Sequence, residues 1–265
     1  MTAGSSWAYP TKAMGTPVVL AVDGSTRYCS LAAGIANKPD EPVSFHVLAE
    51  ITADLNRAHA ERLIPLVEQL LDLAGICRDQ VTHLAVVVGP GSFTGLRVAL
   101  SAWKGLAFAW GLPLIGVSTL QALALQCPAR DGWIAPMLDA KMGEVFGAVY
   151  RWRVDGTLDS RVEEQAVAPE RFAEMLAGLG GPVYAIGEGA WRYGGIFREK
   201  VPDLLVPARP IGTPRASTVG LAAVARLREG KALPDPSRVN PVYLRVSQAE
   251  AARAGRGDTV HDGTC

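Results

Sequence analysis

Residues 83–110 read HLAVVVGPGSFTGLRVALSAWKGLAFAW, and this stretch constrains the fold more than any other. The apolar run 83–89 lacks polar alternation, the mark of a strand covered on both faces. A glycine-rich turn (89–95) follows, then helical periodicity over 96–110 and a second buried strand, LPLIGVS (112–118). Strand, tight turn, helix and strand in that order make a parallel α/β unit, because parallel neighbours need a crossover connection.

The flanking segments extend this unit into two halves. VVLAVDGST (18–26), CSLAAGI (29–35) and VSFHVLAE (43–50) sit at hairpin spacing and predict three antiparallel strands. Residues 51–75 turn helical, with Leu63, Leu66, Val67, Leu70 and Ala74 on one stripe, and Pro65 either kinks that helix or marks its first turn. Similar grammar then restarts: strands at 133–140 and 144–152, a helix at 169–179 with proline first, a strand entering a second glycine turn at 182–190, and a helix at 216–230. Each half opens on a strand carrying an aspartate, Asp23 before Gly24 and Asp139 before Ala140. The expectation is an α/β fold of two similar lobes about a nucleotide-type cleft. Residues 1–16 are a disordered extension, 17–117 the first lobe, 118–245 the second and 246–265 a flexible tail, with helix 216–230 free to pack back on the first lobe.

Charge and cysteine usage exclude several function classes. The 26 basic residues equal the 26 acidic ones, and neither half is basic, so a stand-alone nucleic-acid binder lacks its electrostatic footprint. Cys29, Cys77, Cys127 and Cys265 lie far apart, and no apolar leader precedes residue 17, which reads as a reduced cytoplasmic protein. Residues 105–129 run without a charge, but Gly111-Leu112-Pro113 interrupts them, so helix, strand and helix are expected there and no membrane span.

Standard catalytic motifs are missing. The 89–95 turn has Thr94 and Gly95 where a Walker loop needs glycine and lysine, and its third glycine comes one residue late for a dinucleotide fingerprint. Two readings stay open: Gly89, Gly91 and Ser92 let backbone N–H groups approach an anion, or the glycines serve a tight, closely packed turn. Asp23, with Gly24 and Ser25, either orients a metal or phosphate or caps a turn. Asp139 and Glu144 are either a carboxylate pair or a solvated hairpin. His59 is four residues from Leu63, so a two-histidine metal face is incomplete and no metal is assigned. Apolar helix surface, by contrast, is in excess: helix 96–110 is apolar all round, with a small-residue stripe Val98, Ala102, Gly105, Ala109. Either the lobes cover it internally or a partner does.

Across residues 17–245 the chain resembles the TsaB (YeaZ) family of the tRNA threonylcarbamoyladenosine (t6A) pathway. The stretches that carry the resemblance are VVLAVDGST (18–26), AHAERLIPLVEQLL (58–71), GPGSFTGLRVALSAWKGLA (89–107), LPLIGVSTLQALA (112–124), LDAKMGEVF (138–146) and PVYLR (241–245). The resemblance implies an actin-like, sugar-kinase-like and Hsp70-like (ribonuclease H-like) fold of two lobes with mixed sheets. It also implies a non-catalytic, glycoprotease-like paralogue of TsaD, the subunit that transfers threonylcarbamoyl to N6 of adenosine 37 in tRNAs reading ANN codons. TsaD holds a metal with two histidines four apart, and His59 with Leu63 departs from that pattern.

Family heterodimers join two helices from each partner in a four-helix bundle, which here implies contacts at His59, Arg62, Leu63, Leu66, Leu70, Thr94, Arg97, Val98, Ser101 and Ala102. The implied partners are TsaD, the ATPase TsaE and, through the complex, tRNA; a homodimer through the same helices competes. No cofactor is required by this chain, and ATP or ADP is placed at the interface of the complex. In the non-catalytic reading Asp23, Gly24, Ser25, Gly89, Gly91, Ser92, Asp139 and Glu144 are a vestigial nucleotide cleft; the rival reading is an enzyme, a hydrolase or small-molecule kinase, built on Asp23 and the 89–95 turn.

Overall fold

In the computed structural model, residues 16–38, 40–55 and 59–244 are described, His59 and Ala60 by their backbone alone. The chain opens with an antiparallel meander, β1 (Val18–Asp23), β2 (Tyr28–Ala36) and β3 (Phe45–Asp54). Helix α1 (His59–Ala74) leads to β4 (His83–Gly89), and α2 (Phe93–Trp110) to β5 (Leu114–Ser118). The sheet runs β3-β2-β1-β4-β5, with β4 parallel to both β1 and β5.

All six residues of β1 are buried because both sheet faces are covered. Val18, Leu20 and Val22 pack under α1 and α2 with Leu63, Leu70, Leu100 and Trp103. Val19 and Ala21 face the other way, towards α7 (Ala216–Arg228). That second face is rich in alanine, and Ala222 and Ala223 of α7 meet it, so helix and sheet approach closely. The α7 start is tied to the sheet: Ala216 N donates to Ser30 Oγ at 2.9 Å and Ser217 N to Glu50 Oε1 at 2.9 Å. These bonds satisfy amides that have no partner within the helix.

The second half repeats the plan. Strands β6 (Trp133–Lys141), β7 (Glu144–Trp152) and β8 (Leu158–Val167) form an antiparallel meander. Helix α4 (Pro169–Ala177) leads to β9 (Val183–Ile186), and α5 (Glu188–Arg192) and α6 (Gly194–Lys200) lead to β10 (Leu204–Leu205). The order β10-β9-β6-β7-β8 has the same connectivity as the first sheet. The chain is thus an α/β fold built on two five-stranded mixed sheets of one plan. Between them lies α3 (Thr119–Ala124), which touches β6 and α7.

Three local expectations change. Residues 51–54 are strand and not helix: Ile51 pairs with Leu31, Ala53 with Cys29 and Asp54 with Tyr28, so cross-strand pairing extends β3. Helix α2 begins at Phe93, inside the expected turn, because Ser92 is its N-cap and Ser92 Oγ accepts from Gly95 N at 3.3 Å. Strand β8 was not legible, since Asp159, Arg161, Glu163 and Glu164 hide its period on the outermost position of the sheet. Pro65 lies within α1. Residues 105–124 divide into helix, strand and helix as expected, and no helix among the described residues is long and apolar enough to cross a membrane.

Candidate docking face

The glycine turn is packed shut against the end of β1. A Cβ on Gly91 would lie 2.5 Å from the Ser25 carbonyl oxygen, and one on Gly89 2.6 Å from that of Val242. Both glycines have positive φ, 122° at Gly89 and 155° at Gly91. Ser92 N donates to Ser25 O at 2.6 Å, and Gly95 N is taken by the Ser92 side chain. Close packing accounts for the glycines at 89 and 91.

The aspartates are likewise engaged by their own surroundings. Asp23 Oδ1 accepts from Ser25 N at 2.8 Å and Ser25 Oγ at 2.6 Å, which makes it the cap of the turn. Burial pushes its carboxyl up, outweighing those hydrogen bonds. Burial also pushes the neighbouring Cys29 thiol up to about 12, with the Asp23 charge adding to the effect. Burial alone would raise Asp139, but hydrogen bonds from Lys141 N (3.0 Å) and Nζ (2.6 Å), with Arg192 at 3.3 Å, hold its carboxyl below the usual range. Glu144 stands opposite Lys141 in the β6–β7 register. Asp139 and Glu144, left open between a carboxylate pair and a solvated hairpin, lie on a hairpin in which Lys141 and Arg192 neutralise the buried Asp139 carboxylate. Among the described residues no three His, Cys, Asp or Glu side chains converge as a metal site.

Helices α1 and α2 lie side by side on one face of the first sheet. In α1, Leu63 (1% exposed) and Leu70 (0%) are consumed by the lobe's own core, so neither belongs on a contact surface. Arg62, Ile64 and Leu73 of α1 are exposed, with Ile64 and Leu73 on opposite flanks of the helix, and Leu66 is half-buried. The backbone of His59 opens the helix, and its side chain is outside the described set. In α2, Leu96, Ala99, Leu100, Trp103 and Ala107 face inward, and Trp103 Nε1 donates to Leu20 O at 3.3 Å.

The remaining α2 positions form one outward stripe. Thr94, Arg97 and Ser101 are exposed, Val98 and Ala102 are half-buried, and Gly105, Phe108 and Ala109 are exposed. Phe108 is 92% exposed, so no described residue covers this side of α2. Lys104 is drawn off the stripe to Ser237 O at 2.9 Å and Asn240 Oδ1 at 3.3 Å. The sequence analysis did not single out Leu73, Phe93 or Tyr243, all three exposed. The all-round apolarity of α2 signalled Phe108, whereas no local pattern signalled Tyr243.

Comparisons with known proteins find relatives that match most of the chain. The sequence model of the family described as "TsaD: tRNA N6-adenosine threonylcarbamoyltransferase" matches residues 46–253. The tRNA threonylcarbamoyladenosine biosynthesis protein TsaB of Bacillus subtilis (strain 168) is 31% identical over 205 residues, 77% of this chain and 87% of that protein. Its namesake from Escherichia coli (strain K12) is 31% identical over 233 residues, 87% of this chain and 96% of that one. Among solved structures, YeaZ from Pseudomonas aeruginosa superposes with a TM-score of 0.69 at 30% identity, covering 86% of this chain and 100% of that chain.

Proposed function

Because the chain belongs to the TsaB (YeaZ) family of tRNA threonylcarbamoyladenosine biosynthesis proteins, we propose that it is a non-catalytic subunit that docks on TsaD through α1 and α2. The observation that carries this reading is the outward α2 stripe from Val98 to Ala109, ending in the exposed Phe108. An uncharged helix face with small residues admits a second helix at close range, and the neighbouring α1 offers Leu66 and Leu73 beside it. Two helices from each protein then make a four-helix bundle. His59, Arg62, Leu66, Thr94, Arg97, Val98, Ser101 and Ala102 remain its contacts on this side.

In this reading TsaD performs the transfer of threonylcarbamoyl to N6 of adenosine 37 in tRNAs reading ANN codons. The present chain supplies no reacting group, which agrees with a capped Asp23 and a salt-bridged Asp139. The ATPase TsaE joins the pair, tRNA is met through the complex, and ATP or ADP is held at the interface of the complex, all in the cytoplasm. Self-association uses the same face and competes with TsaD.

The test is light-scattering size exclusion of the chain alone and mixed with TsaD from the same cell. A peak at the summed mass is expected, lost in Val98→Arg, where an unpaired charge in a close helix contact costs roughly 3–5 kcal/mol. Separate elution of the two wild-type proteins would overturn the reading.

A further inference from the structure

The docking face has a third segment, and it fixes what a partner must bring. Residues 235–244 run as a strap along α2, held by Lys104 and by Val242 N donating to Val88 O at 2.7 Å. The Gly89 turn leaves the space that the Val242 carbonyl occupies. At its end the strap lays Tyr243 against Phe93, ring centroids 5.2 Å apart. Arg97 is caught between them: its Cζ lies 3.9 Å from the Phe93 centroid and 5.9 Å from that of Tyr243, and its Nε donates to Tyr243 Oη at 3.0 Å.

This arrangement leaves the guanidinium oriented and, among the described residues, without a counter-charge. Among the described residues no carboxylate lies within ion-pair reach of Arg97, and its neighbours on the stripe, Thr94, Val98 and Ser101, carry no charge. Stacking on rings holds an arginine at low entropic cost while its two Nη groups stay free to donate as a fork. Whatever covers Val98 and Ala102 also strips water from the adjacent Arg97. A guanidinium so desolvated is costly unless an anion meets it.

We propose that Tyr243 is a positioning residue of the docking face, and that it holds Arg97 to receive an aspartate or glutamate carboxylate from a helix of the partner protein. This rests on the docking reading above. It adds a specificity element: an apolar helix pair without a carboxylate at that point is rejected, because it leaves the arginine buried and unpaired. A protein carboxylate is favoured over a nucleotide phosphate because Arg97 belongs to the same helix face as the apolar stripe, which a helix must cover.

The experiment measures Kd of the chain for TsaD from the same cell by calorimetry, at low and high salt, with thermal unfolding as the control for folding. Arg97→Glu is expected to weaken binding about 100-fold and Arg97→Lys about tenfold, since a like charge facing the partner's carboxylate is repelled and a lysine loses the fork. Tyr243→Ala is expected to weaken binding about tenfold and flatten its salt dependence, with Tyr243→Phe, which keeps the stack, recovering most of the loss. Replacing one carboxylate of the partner's docking helices by lysine should restore binding to Arg97→Glu. Wild-type affinity for Arg97→Glu, with Val98→Arg still abolishing binding, would overturn the inference and leave the docking reading standing. Failure of every partner carboxylate-to-lysine change to rescue, or an Arg97 effect seen only when ATP is added, would overturn the carboxylate. Wild-type affinity for both Val98→Arg and Arg97→Glu would overturn inference and reading together. Arg97→Lys leaves the strap in place, so the outcome is decided even if Tyr243→Ala does not fold.

Discussion

Gly95 on α2 sits so close to Gly24 after β1 that a Cβ on Gly95 would lie 2.2 Å from the Gly24 carbonyl oxygen. The same contact is tight from the other side, where a Cβ on Gly24 would lie 3.1 Å from Gly95 O. Helix α2 therefore docks on the β1 turn through backbone, and the apolar face it turns outward is set by that contact. Gly95→Ala should cost about 1–3 kcal/mol or more, because the obstructing atom is backbone and cannot rotate away. Urea unfolding reads this directly, and a loss below about 1 kcal/mol would refute the close approach.

Trp103 and Phe108 occupy one helix but opposite fates. Trp103 is fully buried and donates to Leu20 O, so Trp103→Ala should cost about 3–5 kcal/mol. Phe108→Ser should leave unfolding within about 0.5 kcal/mol of wild type while weakening association with TsaD. Urea denaturation together with a binding titration separates the two effects, and a Phe108→Ser variant that unfolds early would place Phe108 in an internal contact.

The lobes meet at Glu164 of β8, which accepts from the Ser118 hydroxyl at the end of β5 and from Tyr150 Oη at 2.9 Å. Burial pushes the Glu164 carboxyl up, beyond what these hydrogen bonds recover. A carboxyl raised in the folded state contributes stability that is full below its unfolded value of 4.5 and is lost as pH rises through the folded value. Glutamine offers the same acceptor oxygen to both hydroxyls and cannot ionise. The Tm of Glu164→Gln minus that of wild type should therefore increase from acid to neutral pH. A pH-independent difference would refute the shift.

Asp23 separates docking from catalysis. Asp23→Asn keeps an oxygen for Ser25 N and removes a buried carboxyl, so t6A formation by the reconstituted complex should proceed at the wild-type rate. Asp23→Ala orphans Ser25 N and should lose about 1–3 kcal/mol of stability without loss of pairing. Abolished modification in a folded Asp23→Asn complex would instead make this chain an enzyme.

Much was legible from residues 17–245 alone. Apolar runs such as 83–89 and helical stripes such as 96–110 are local, so the order of elements, the duplication into two halves and the surplus apolarity of α2 could be read without coordinates. The short motifs were equally local, and they carried the family.

What remained was decided by contacts between distant segments. Residues 51–54 became strand because β2 offers them a pairing edge, and β8 formed although its sequence is largely charged. Leu63 and Leu70 differ from Leu66 only in which side of α1 meets the sheet, and a wide apolar stripe does not disclose its buried edge. The glycines of 89–95 suit an anion or a close-packed turn equally well until Ser25 and Val242 are seen to occupy the space. Arg97 and Tyr243 are 146 positions apart, and only the path of the strap along α2 brings a ring to the guanidinium. Periodicity records which residues share a face; what that face meets depends on chain closure, which no local pattern encodes.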